Sequence, residues 1–360
     1  MKALRMVAVD RSLELQDIPP PTLDPKHEKD FNQVIVRVRA CGVCGTDIHH
    51  LKGTARVSHL PITLGHEIAG EIHEVGKGVL AGRLQAPMFE PGNRVVVHNV
   101  IYCGECHYCR RWKFNFCLNQ LMIGRNVDGG LAEYVKVPVR NLVSLPDEIT
   151  MPEGAVLGCA GATAFHALRI AHIAVTDSVV VWGVGGVGAC LVNLVREVSG
   201  AHPIIAVDRK DGPLELAREL GADFTINSRR EDPVQRIRDL TDGEGADVVL
   251  DTAGITQTTE DGTVITLEST SNGGRLIVVA TYRRPIKIQP HDELGIFEKR
   301  FTGSCGNLPD ELEKLTELVA GRRRLSLEKL ISRIVSMEDA PKAVEEWRRK
   351  GGVPRIVVTM

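Results

Sequence analysis

The sequence predicts an α/β fold in two parts, a mostly-β domain followed by a doubly wound parallel sheet. Three observations carry this. Short β-branched runs fill residues 1–150. From Val179 onward, short apolar runs alternate with helical periodicities. The first strand and helix of that second region are joined by a glycine-rich turn, Gly183-Val184-Gly185-Gly186-Val187-Gly188. A chain of 360 residues also exceeds one ordinary core, so two domains are expected.

Val7-Ala8-Val9 and Leu13-Glu14-Leu15 read as strands around an Asp-Arg-Ser turn, and Val34–Val38 as another. Pro19 through Asp30 is a polar loop. Ala69–Val75 alternates loosely, and residues 76–90 form a long, irregular connection before the turn Pro91-Gly92-Asn93 and the strand Arg94–His98. Gly129-Gly130 turns into an alternating strand over residues 131–137, and Gly154–Leu168 is small, apolar and helical in character.

Val179–Trp182 is a buried strand, and the helix after it places Val187, Leu191, Leu194, Val195 and Val198 on one face. Ile204–Val207 is the next strand. A helix from Pro213 stops at Gly221, and Phe224–Ile226, Pro233–Leu240, Val248–Asp251 and Arg275–Ala280 continue the alternation. Past Phe301 it ends: Leu308–Ala320 and Ala340–Arg349 read as amphipathic helices and Pro354–Thr359 as a last strand.

Net charge is −2, with Lys and Arg scattered, which argues against nucleic acid or an anionic membrane as partner. Ser178–Val195 is uncharged and reaches spanning length, but four glycines in its middle make it strand, turn and helix, so no membrane is expected. Residues 1–6 lead into charged, alternating sequence rather than a signal pattern. With nine cysteines crowded at short spacings, this points to the cytoplasm and to metal rather than disulfides.

Two clusters carry that chemistry. Cys44, Thr46, Asp47, His49, His66 and Glu67 gather a thiolate, two imidazoles, a hydroxyl and two carboxylates within 24 residues. Taken singly, a Cys is usually a small core residue and a His a satisfied polar one. Together they offer the sulfur and nitrogen that zinc prefers, plus a carboxylate to orient the ring. Cys159 is a core thiol by itself and the obvious candidate for a third ligand. Further along, Cys103, Cys106, Cys109 and Cys117 can close a tetrahedral shell with no open position, the arrangement of structural zinc. An iron–sulfur run would end in a shorter gap and Cys-Pro, whereas Leu118 follows Cys117.

The glycine turn has its own physics. Backbone N–H groups at Gly183, Gly185, Gly186, Val187 and Gly188 can approach a pyrophosphate at the positive end of the helix. Asp208, about twenty residues on, ends the second strand and can accept from both adenosine ribose hydroxyls. A carboxylate there repels a 2′-phosphate, so NAD is favoured over NADP, a preference tempered by Arg209 and Lys210.

On these motifs the chain resembles the zinc-containing medium-chain alcohol dehydrogenases over its whole length. The resemblance implies a GroES-like catalytic domain over residues 1–160 with a structural zinc lobe at 103–117, a Rossmann NAD-binding domain over 161–302, and a C-terminal part, 303–360, returning to the catalytic domain. It implies two zinc ions per chain, one held by Cys44, His66 and Cys159 and one by the four-cysteine lobe. Asp47 would orient His66, and Glu67 would lie behind the metal. Thr46 would take the substrate proton and pass it toward His49, Thr163 would contact the nicotinamide, and Arg355 would reach the pyrophosphate. An alcohol or ketone substrate and a homodimer or homotetramer follow from the same likeness. A polyol or sugar dehydrogenase is the nearest alternative, although such enzymes commonly carry Glu in place of the third thiolate; a catalytically weak zinc-binding relative is another. Asn99 stands where the family often has an aromatic wall, which suggests a wider or more polar pocket. Cys41 reads as core, and His50 as surface or pocket rim.

Overall fold

Lys2–Met6 is the first strand, its Ala3, Leu4 and Met6 side chains buried while Lys2 is exposed and Arg5 half-buried. In this computed structural model the described residues are all but 81–88, 255–263, 282–284, 323–324 and 351–354. The strand pairs antiparallel with Glu14–Asp17 and with Ile62–Thr63. This corrects the expectation of a strand at Val7–Val9. Those residues fall in the turn, Val9 is exposed and Asp10 takes a positive φ of 62°. Most of the irregular 76–90 connection lies outside the described residues, as does Pro354 ahead of the last strand.

Contacts divide the chain into two units, one of Met1–Ala162, Asn307–Arg323 and Leu330–Met360, the other of Thr163–Gly306 and Arg324–Lys329. The first is built on a sheet ordered Leu142–Ser144, Arg94–Val97, Glu67–Val75, Gln33–Gly42, Arg355–Thr359 and Ile331–Ser336, with Tyr134–Pro138 also on Gln33–Gly42. Leu4, Val36, Ile68, Val97, Leu131 and Val358 are among the side chains that fill its core. The second unit has six parallel strands ordered Phe224–Asn227, Ile204–Asp208, Val179–Trp182, Ala246–Asp251, Thr270–Val278 and Arg300–Gly303. Numbered along the chain this order is 3-2-1-4-5-6, that of a doubly wound dinucleotide fold, with the switch beside Val179–Trp182.

Two boundaries differ from the sequence expectation of breaks after 160 and 302. Arg300–Gly303 pairs with Arg275–Val278 as the sixth strand, which keeps residues 303–306 with the second unit. Residues 324–329 join it too, as Ser326 N–H donates to Asn193 Oδ1 at 3.0 Å and Lys329 Nζ to the Glu219 carbonyl at 3.3 Å. Val198 also departs: it is exposed, because Val195–Ser199 winds as a π turn that rotates the helix face away from the core. Met151–Ala171 is one helix interrupted by a π turn at Leu157–Gly161. It is long and apolar enough to cross a membrane, and 78% of its apolar window is buried within the protein.

Candidate active site

The side chains of the first unit that could hold a metal come from three places. Gln33–Gly42 runs out at Val43, and Cys44 caps the helix Gly45–Leu51 in an extended conformation. Asp47, in the first turn, is buried. Its Oδ2 accepts Cys44 N–H at 2.8 Å, its Oδ1 accepts Gly65 N–H at 3.3 Å, and Oδ1 lies 3.6 Å from His66 Nδ1. One carboxylate thus ties the helix start to the His66 turn and orients the ring. Gly65 has φ +90°, and a Cβ there would stand 2.6 Å from Cys41 Sγ, so the turn that delivers His66 needs glycine. Cys159 arrives from the π turn of the long helix, a type of irregularity common at functional positions.

One ligand atom each of Cys44, His66, Glu67 and Cys159 lies within 4.8 Å of all the others. Two thiols, an imidazole and a carboxylate this close form a zinc donor set, and the Glu67 Oε2 atom is buried without a partner. Glu67 Oε1 pairs with the Arg355 guanidinium, itself buried at the start of Arg355–Thr359. Burial, offset in part by Arg355, pushes Glu67 up to about 7. A hydrogen bond from Cys159 holds the Cys44 thiol well below its ordinary range, and the same bond with burial drives Cys159 up. Burial works against a charged His66, yet Asp47 and Cys44 raise it on balance.

Thr46 is half-buried, its Oγ1 3.8 Å from Cys44 Sγ. One turn on, His49 is exposed, with Nδ1 2.9 Å from Thr54 Oγ1. Hydroxyl and imidazole thus run from the ligand cluster to the surface along one short helix. His50 corrects the surface expectation: it is buried, with Nδ1 3.1 Å from the Ala55 carbonyl. Cys41 is core, packed against the Gly65 turn. Asn99 is buried with its Oδ1 unpartnered, two residues past Val97, which pairs with Ile68.

The four-cysteine lobe also fits a zinc ion. Cys103 Sγ lies 3.9 Å from Cys109 Sγ and 3.5 Å from Cys117 Sγ. A tetrahedral zinc shell with bonds of about 2.3 Å has sulfur–sulfur edges of about 3.8 Å. Cys103 and Cys106 N–H groups donate to Cys117 and Cys103 sulfurs.

In the second unit, Gly183 has φ +87° and a Cβ there would meet Ala253 at 2.9 Å. At Gly188 a Cβ would stand 1.9 Å from the Gly183 carbonyl, so the helix Gly186–Leu194 can only pack this tightly on the turn with glycine there. Gly185 is exposed at the helix start, and Val187 is half-buried. Asp208 accepts Val184 N–H at 2.9 Å, Arg209 N–H at 2.7 Å and Lys210 N–H at 3.0 Å. Its carboxylate therefore shapes the turn. Thr163, half-buried, stands near the start of the helix Ala162–Ala171.

Residues 30–147 match the model of the alcohol dehydrogenase GroES-like domain, and residues 186–321 that of the zinc-binding dehydrogenase domain. An NAD-dependent alcohol dehydrogenase of Sulfurisphaera tokodaii is 32% identical over 99% of both chains. The chain belongs to the zinc-containing medium-chain dehydrogenase family. An L-threonine 3-dehydrogenase of Symbiobacterium thermophilum, 34% identical, covers 80% of this chain and 77% of its own. The alcohol dehydrogenase TADH from Thermus sp. ATN1 superposes with a TM-score of 0.87 at 30% identity, covering 100% of this chain and 99% of its own. This family member is an oxidoreductase with a GroES-like unit and a Rossmann unit. Sequence reasoning passed over two of its site residues, Gly42 and Thr252. A Cβ on Gly42 would stand 2.1 Å from Glu67 Oε2, and Thr252 Oγ1 donates to the Gly183 carbonyl. A glycine inside a β-branched strand was the available signal for the first; nothing in the sequence marks the second.

Proposed function

We propose that the chain is an NAD- and zinc-dependent alcohol dehydrogenase that moves a hydride between a secondary or bulky alcohol and the nicotinamide, reversibly giving ketone or aldehyde. The observation that carries this reading is the approach of Cys44, His66, Glu67 and Cys159 within 4.8 Å, with the Thr46 hydroxyl beside Cys44. When bound, zinc would stabilise negative charge on the reacting oxygen and NAD would accept the hydride.

The chain's own residues do the rest. Cys44, His66 and Cys159 would hold the catalytic ion, Asp47 would fix the His66 ring, and Glu67, neutralised by Arg355, would lie behind the metal. Thr46 Oγ1 would accept the substrate hydroxyl proton as it gives its own proton up in the direction of His49, which would release one at the surface. Gly183–Gly188 would receive the pyrophosphate, Thr163 would contact the nicotinamide, and Asp208 would select the unphosphorylated ribose. Cys103, Cys106, Cys109 and Cys117 would hold a second, structural zinc. The L-threonine 3-dehydrogenase relative supports a substrate oxidised at a secondary hydroxyl. A homo-oligomer working in the cytoplasm suits a chain whose cysteines serve metal.

Zinc analysis beside an alcohol and ketone panel tests this. Two zinc ions per chain with alcohol-dependent NADH formation are expected. Turnover of polyols alone would transfer the assignment to the polyol dehydrogenases, and one zinc with no turnover would leave a binding relative.

A further inference from the structure

The loop after the helix Gly45–Leu51 borders a cleft that the proposed hydride transfer leaves without a task. Met6, Val9, Val57 and Leu60 give it apolar walls, and Arg56 and His59 stand among them. Its volume is about 370 Å³, inside the range of roughly 300–1,000 Å³ that small-molecule sites occupy. Val9 is 50% exposed and Leu60 42%, so apolar surface is open to a ligand there.

The charged groups on this loop are of one sign. Between Asp47 and Glu67 the chain has no acidic residue, but it has Lys52, Arg56 and His59. Arg125 is drawn to the same loop: its Nε donates to the Arg56 carbonyl at 3.3 Å, and Ser58 N–H donates to the Arg125 carbonyl at 2.9 Å. Arg56 and Arg125 are both exposed, and among the described residues no carboxylate pairs with either guanidinium. Asp10, beside Val9, is taken by Arg348, and Asp128 by Arg5. A guanidinium without an acid, set at an apolar wall, complements an anion with a hydrocarbon body.

We infer that this cleft binds an aliphatic carboxylate, its chain against Met6, Val9, Val57 and Leu60 and its head on the Arg56 guanidinium. The planar fork of an arginine matches a carboxylate with two parallel hydrogen bonds, and the apolar walls gain by leaving water. The site adjoins the outer end of the proton path. The His49 carbonyl accepts Thr54 and Ala55 N–H at 3.0 and 3.1 Å, and Thr54 Oγ1 lies 2.9 Å from His49 Nδ1. Arg56 is the next residue along. A negative charge held there, within a Debye length of about 8–10 Å, favours the charged imidazole and so holds back proton release. Bound carboxylate therefore slows alcohol oxidation without entering the ligand cluster. That consequence rests on the proposed role of His49, whereas binding itself does not.

Titration calorimetry on the zinc- and NADH-loaded protein tests the site with sodium octanoate, and with octyltrimethylammonium as the same chain carrying the opposite charge. Octanoate is expected to bind once per chain and the ammonium not at all. Arg56→Gln should weaken octanoate ~10–100-fold, the worth of one charge-assisted pair. Lys342→Gln, an exposed cation elsewhere, should leave its affinity unchanged, and NADH binding reports that both variants are folded. In turnover, octanoate should lower kcat for alcohol oxidation and leave KM as it is. No octanoate binding, equal affinity for the ammonium, or wild-type affinity in Arg56→Gln overturns the inference. Octanoate that raises KM in wild type and Arg56→Gln alike has taken the place of the alcohol, which overturns it too. Octanoate bound through Arg56 by a protein that turns over no alcohol upholds the site and sinks the dehydrogenase reading instead.

Discussion

The Arg355 guanidinium and the Glu67 carboxylate form an ion pair inside the first unit, with both side chains buried. Removing one partner leaves a charge in low dielectric. Arg355→Met is therefore expected to lose about 3–5 kcal/mol of stability in urea unfolding. Glu67→Gln combined with Arg355→Met should recover part of it, because no unpaired charge then remains.

Thr46→Val removes the hydroxyl beside Cys44 while keeping the shape. Turnover should fall by ~10²–10⁴, and NADH binding, followed by fluorescence, should stay unchanged. His49→Gln is expected to have a smaller effect and to alter the pH profile of turnover, since its imidazole lies at the outer end of the path.

Gly42→Ala places a methyl group where Glu67 Oε2 lies. Repacking should cost about 1–3 kcal/mol and lower the zinc content of the catalytic cluster, measured after dialysis. Wild-type zinc and stability would mean the Glu67 carboxylate swings aside freely.

Cys106→Ser opens the four-sulfur shell, since a hydroxyl replaces one of the four thiolates that zinc prefers. One zinc per chain should be lost and thermal unfolding should occur at lower temperature, while NADH binding to the Rossmann unit persists.

Acid should act through Glu345, which hydrogen bonds to Arg348, aided by Arg349, lower from its ordinary 4.5 to about 2. A depressed carboxylate stabilises fully above its unfolded value and loses that contribution as pH falls through the folded one. Glu345→Gln should cost ~1 kcal/mol or less at neutral pH, as the pair is near solvent. By pH 3 the deficit in urea midpoint should shrink by about half.

What was legible in the sequence was the chemistry that spacing encodes. Four sulfurs at short intervals, or strand, glycine turn and helix ending in an acid, constrain the local structure enough to be read without a partner segment. What depends on tertiary contact was not. Val7–Val9 has the composition of a strand, yet the pairing surface offered by Ile62–Thr63 and Glu14–Asp17 selects Lys2–Met6. His50 looks polar and superficial, but the helix Gly45–Leu51 turns it inward to the Ala55 carbonyl. Val198 fits the helical period until a π turn shifts the phase. Gly42 becomes meaningful only when Glu67 is seen across the sheet.

The strand Arg355–Thr359 lies inside its sheet, between Gln33–Gly42 and the edge strand Ile331–Ser336, and its first residue meets Glu67 from 288 positions away. Closing so long a loop is entropically slow, so this sheet should be among the later structures to consolidate. Thr163–Gly306 makes its own strand pairs without waiting for that closure. A refolding chain should therefore acquire nucleotide affinity before it acquires turnover.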